Sequence, residues 1–229
     1  MMHPDLQQWI EFAFDRPVRD PAWYWDRHAP ECTLPPSRVA ELDAETFERG
    51  EQLLASFSSG QLRQGLEYLT STACSPQGWA LVDPGVAEAT RLRVVRSFVP
   101  LFETVMQRRC SPHLLHLDEA GADPLNVACY MWWEWLPFAP SHPDDGDRRF
   151  GGDRAAQARF DEQAMLGMAR ILDIPHDACR ESALHGLGHW HLRYPQRSAA
   201  IIDRFLEHSP CLRAELRAYA EAARSGMVQ

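Results

Sequence analysis

The sequence has no apolar run approaching ~20 residues, the length a helix needs to cross a bilayer, so no membrane span is expected. Its first residues, MMHPDLQQWIEF, lack a basic stretch followed by an apolar one, so no secretory leader is read there. The six cysteines, at 32, 74, 110, 129, 179 and 211, form no CxxC and no tight spacing. That argues against a disulfide framework or a zinc knuckle and fits buried free thiols in a reducing compartment. A cytoplasmic protein is the expectation. Positive charge is scarce, with 23 Lys and Arg against 32 Asp and Glu and a formal net charge of -9. General nucleic-acid binding, which needs cations to displace counterions, is therefore not expected, nor is attraction to an anionic membrane. A basic protein partner suits this field better. No glycine-rich phosphate loop, GxSxG elbow or alternating strand-type run occurs.

What the chain does have is helical periodicity. Its 229 residues are 45% hydrophobic and 24% charged, enough for one sizeable core. They read as an all-α domain over 1–229, with a possible division into an N-terminal part, 1–143, and a C-terminal part, 153–229. Apolar stripes predict helices over Asp5 to Phe14, Ser37 to Phe57 and Leu62 to about Ala73, with prolines leaving 15–36 irregular. Asp83-Pro84 reads as a helix start, an N-cap followed by proline. The stripe Val95, Phe98, Val99, Phe102, Val105 and Met106 contains Pro100, where a kink or break is expected. Asp123-Pro124 opens a helix reading LNVACYMWWEWLPF, and Pro137–Gly152 reads as a long exposed loop. Helices are further predicted at Met165–Leu172, 176–193, 195–208 and from Leu212 to Ala223.

The stretch Cys179–Leu206, CRESALHGLGHWHLRYPQRSAAIIDRFL, joins fold signal to possible chemistry. On a wheel of 100° per residue, Cys179, Ala183, Leu184, Leu187 and Trp190 share one arc, while Glu181, His185 and His189 form a neighbouring ridge. Glycine inside a helix costs ~1 kcal/mol against alanine, so Gly186 and Gly188 predict close approach of another helix or a ligand. The helix ends before Tyr194, which precedes Pro195 and is pushed out of the α region.

The phrase DACRESALHGLGHW resembles a HEAT-repeat helix in Arg180, Ala183, Leu184, Leu187 and Gly188, and Ile201-Ile202-Asp203-Arg204-Phe205-Leu206 resembles its partner. The likeness covers 155–225. It implies helical hairpins stacked in a HEAT-like or irregular solenoid or bundle, and a surface that binds other macromolecules.

Two functions follow. The first is a non-enzymatic protein-binding module, with a bacterial immunity or adaptor role towards a basic partner as its concrete form and no cofactor. Trp132, Trp133 and Trp135 would anchor that partner, since three tryptophans in four positions cannot all face one side of a helix. Asp144, Asp145 and Asp147 would steer it; as an oxygen-ligand cation site they lack the spacing of a calcium loop. The alternative is an enzyme using one divalent transition metal, bound by Glu181, His185 and His189 beneath the tryptophan cluster. His191 points away from that ridge, and His116, His176, Asp118 and Glu134 are the remaining candidates for ligands. The plain counter-reading is that the imidazoles hydrogen-bond to a neighbouring helix or to solvent, and that the tryptophans pack internally against Trp23–Trp25.

Overall fold

The computed structural model describes residues 4–137 and 149–228. All regular structure is helical, as expected, and no strand occurs among the described residues. In the N-terminal half, α1 (Pro4–Phe14), α2 (Pro36–Glu48), the single turn α3 (Gly50–Leu53) and α4 (Ser59–Thr70) are followed by α5 (Glu88–Leu101). The short α6 (Gln107–Arg109), α7 (Leu125–Tyr130) and α8 (Trp132–Trp135) come next. Then α9 (Arg154–Leu172), α10 (Asp177–Trp190), α11 (Pro195–His208) and α12 (Ala214–Arg224) complete the chain.

Local chemistry sets several boundaries. Ser58 accepts a bond from the Gln61 amide while the Gln61 side chain accepts from Ser58 N, a reciprocal cap that starts α4. Pro195 stands in the first turn of α11, where its missing N–H leaves nothing unsatisfied. Asp83-Pro84 corrects the expected helix start. The Asp83 carboxylate accepts Gly85 N at 2.6 Å and its carbonyl accepts Val86 N at 3.1 Å, closing a turn, and α5 begins only at Glu88. Pro100 lies inside α5, and the helix widens into a π turn over Phe102–Met106 directly after it. Proline supplies no N–H to the ladder and its ring crowds the preceding turn, so the altered register follows the predicted site of disruption. The helix expected after Asp123-Pro124 forms, but it divides at Met131 and ends at Trp135.

One buried apolar cluster runs from Leu6 of α1 to Ala223 of α12. α2 packs on α5, α5 on α9 and α9 on α10, and α10 is also in contact with α7, α8, α11 and α12. α10 is therefore enclosed on most sides, and eleven of its residues, from Ala178 to Trp190, are buried. Trp132 lies edge-on to Phe98 and Phe102 with ring centres 5.1 and 5.9 Å away, and Trp133 lies 5.8 Å from Phe98. These T-shaped contacts place opposite ends of the aromatic quadrupoles together. They also correct the partner-anchor expectation for two tryptophans: Trp132 and Trp133 are core residues, while Trp135 is half-buried. The core partners are phenylalanines of α2, α5 and the π turn, not the Trp23–Trp25 segment. Asp144, Asp145 and Asp147 lie outside the described residues.

Candidate metal centre

His185 is fully buried on α10, and its two ring nitrogens have different surroundings. Nδ1 lies 2.8 Å from the Tyr219 hydroxyl of α12. Nε2 lies 3.2 Å from Glu134 Oε2 of α8 and 3.1 Å from Nε2 of His189, one helical turn on. The Glu134 to His189 separation is 3.8 Å. The imidazoles stand at 83° to each other, and the side chains of His189 and Glu134 are 33% and 45% exposed, so the trio opens to solvent on one side.

Glu134 reaches the pair because α8 is held against α10 through Gly186. A β-carbon there would meet Trp133 Cγ at 2.6 Å and Met168 Sδ at 2.8 Å. The close approach expected at the two glycines is therefore real, with Trp133 and Met168 at Gly186 and Val228 at Gly188. α7 is fixed to α10 by the Ser182 hydroxyl, which donates to the Cys129 carbonyl, and by the Cys129 thiol, 3.5 Å from Ala178 O.

Glu181 does not join the histidines, which corrects the expected ridge of three ligands. Its carboxylate accepts the backbone N–H groups of Leu115 and His116 at 3.0 Å each and the His116 ring Nδ1–H at 2.6 Å. Burial pushes its carboxyl up, opposed by those donors. Glu181 thus pins the turn Leu115–Leu117, which Asp118 ends in the left-handed conformation at φ 51°. Buried Asn126 holds the same loop through Ser111 N and the carbonyls of Ser111 and His113. The His116 ring then stacks on Tyr219 at 4.0 Å, and the Tyr219 hydroxyl meets that of Tyr130 at 3.1 Å. Burial pushes the pKa of both phenols up, so they remain protonated hydrogen-bonding groups.

Burial pulls His185 down to about 4, with the neighbouring His189 adding to the shift and Glu134 opposing it. Near neutral pH the ring carries one proton. With Nδ1 accepting from Tyr219, that proton sits on Nε2 and is shared with Glu134 and His189. With Nδ1–H donating to Tyr219, three lone-pair atoms converge, and a cation among them removes their mutual repulsion.

Of the other sequence candidates, His176 lies beside Cys179, with its Nε2 3.1 Å from Cys110 O. The neighbouring Cys129 and His176 hold the Cys179 thiol below its usual range, against the opposing effect of burial. His191 caps α10 against Gly226, away from the trio. Nothing in the sequence marks Tyr219 or Tyr130 as part of this network, since Tyr219 is only one more apolar position of a helical stripe. Clefts of about 750, 580 and 450 Å³ lie elsewhere, and none of these three is lined by Glu134, His185 or His189. Among the described residues no helix is long and apolar enough to cross a membrane. No family model, curated protein or solved structure matches the chain.

Proposed function

We propose that Glu134, His185 and His189 bind one divalent transition ion of the zinc class and that the protein is a metal-dependent hydrolase. One observation carries the reading: the three ligand atoms lie 3.1, 3.2 and 3.8 Å apart. Tetrahedral ligands at ~2.0–2.1 Å from an ion stand about 3.3 Å from one another. Two imidazoles and a carboxylate with a solvent-facing side form the donor set of a catalytic site, which leaves a position for water or substrate. Such an ion supplies Lewis-acid chemistry, polarising water or a carbonyl or phosphoryl oxygen. His185 is aimed by Tyr219, as outer partners commonly orient metal-bound histidines, and its low proton affinity favours the neutral form that binds metal.

The protein-binding reading keeps the net charge of -9 as its support and loses two of its three tryptophan anchors to the core. For the architecture, we read the C-terminal helices as an irregular bundle around α10, supported by the number of helices packed on it; in a HEAT stack each repeat touches only its neighbours.

Elemental analysis of protein purified without chelator tests the metal. The expected result is about one zinc, manganese or iron per chain, lost in His185→Ala with His189→Ala, and a melting temperature lowered by chelator. Hydrolysis of aryl ester or aryl phosphate substrates that stops with chelator and returns with metal tests the chemistry. Metal-free protein whose melting temperature ignores added zinc would sink the proposal.

A further inference from the structure

A second site is built by α5, α9, α10 and α11, which surround a cleft of about 750 Å³, within the range of small-molecule pockets. Its apolar lining includes Leu166 and Leu172 of α9 and Ile201 and Phe205 of α11. Leu166 is 45% exposed, so part of this floor is open to water. The charged lining is Arg96, Arg170, Arg180 and Arg204, against a single carboxylate, Asp173.

Four guanidinium groups around one cleft run against a chain of net charge -9. Several arginines elsewhere take internal counterions: Arg93 pairs with Glu48, Arg159 with Glu88, Arg197 with Glu162 and Arg224 with Asp203. None of the four cleft arginines pairs with a carboxylate among the described residues. Two are held by neutral acceptors, Arg96 by Gln163 Oε1 at 2.8 Å and Arg180 by the Leu172 carbonyl at 3.3 Å. The Arg180 guanidinium also lies 5.8 Å from the Phe205 ring centre. Such anchoring orients a guanidinium without neutralising it, and its remaining N–H groups match the paired oxygens of a carboxylate or phosphate.

We propose that this cleft binds a small amphipathic anion, a carboxylate or phosphate monoester on an alkyl or aryl body. The arginines meet the head group, and Leu166, Ile201 and Phe205 cover the body. Inorganic phosphate lacks the apolar part and a neutral alcohol lacks the charge, so each satisfies only half of the lining. Glu134, His185 and His189 do not line the cleft, and binding there is independent of metal.

Calorimetric titration of the full chain with decyl phosphate and decanoate, below the concentrations at which they aggregate, tests the proposal. Inorganic phosphate and decanol serve as comparison ligands, and the series is repeated with chelator. At least one decyl anion is expected to saturate one site per chain, while phosphate and decanol bind at least about tenfold more weakly. The double variant Arg170→Gln, Arg204→Gln changes two exposed positions, so folding is retained, and it is expected to weaken the decyl anion about tenfold or more. The proposal is overturned by absence of saturable binding of both anions, by equal affinity for decanol or phosphate, by unchanged binding in the variant, or by binding that chelator abolishes. The last result would assign the anion to the metal centre instead.

Discussion

A β-carbon built on Gly186 would stand 2.6 Å from Cγ of Trp133, so the indole fills the space that any other residue there would claim. That contact fixes the distance between α10, which carries His185 and His189, and α8, which carries Glu134. Trp133 has no room to swing aside, being 1% exposed and packed edge-on to Phe98 at 5.8 Å.

The Gly186→Ala variant follows directly. Alanine gains ~1 kcal/mol in helix propensity, but overpacking a tight core costs about 1–3 kcal/mol, and Met168 Sδ blocks the other side at 2.8 Å. A net loss of stability is expected in denaturant unfolding, with weaker metal binding because α8 must move. Wild-type stability and metal affinity in this variant would show that the contact yields without consequence.

Glu134→Gln and Glu181→Gln should behave differently, although both remove a carboxylate charge in the same region. Glu134→Gln is expected to reduce metal content sharply with little effect on the metal-free melting temperature, since its side chain is 45% exposed. Glu181→Gln leaves an amide facing two backbone donors and His116, and should cost about 1–3 kcal/mol of stability while metal remains near one per chain. Metal content and thermal melting measured on both variants decide this, and the opposite pattern would restore Glu181 as the ligand.

The contrast between these two glutamates marks how far the sequence could be read. His185 and His189 were legible as a pair because four residues along a helix bring side chains to one face. Glu181 satisfied the same spacing, but the donors of the loop 111–118 decide its orientation, and they come from 65 residues away in the chain. Glu134 enters only because α8 docks through Gly186, a contact that periodicity does not encode. The all-helical class and the disruption at Pro100 were readable because each rests on local rules. The division at Met131 was not, since no proline or glycine marks it between Leu125 and Leu136.

Trp132→Ala and Trp135→Ala separate core from surface in the tryptophan cluster. Trp132 is fully buried among Phe47, Phe98 and Phe102, so its truncation should cost about 3–5 kcal/mol. Trp135 is half-buried, and its truncation should cost markedly less. Comparable denaturation midpoints for the two variants would contradict the packing described here.

The pH dependence of stability gives the last test, best made on metal-free protein. In the unfolded chain His185 takes up a proton near pH 6.5, whereas in the folded chain burial holds uptake down to about 4. Between those values the unfolded state binds more protons, so the contribution of this group to stability is present above pH 6.5 and is lost as pH falls towards 4. At 1.36 kcal/mol per pH unit the loss reaches at most about 3 kcal/mol. His185→Gln is neutral throughout and removes this contribution while leaving other titrating groups, such as the buried carboxyl of Asp43, in both proteins. The expected outcome is a smaller fall in unfolding free energy between pH 7 and pH 5 for the variant than for the wild type. Parallel pH profiles would mean that His185 is protonated as readily in the folded chain as in the unfolded one, and the neutral, metal-ready imidazole would have to be abandoned.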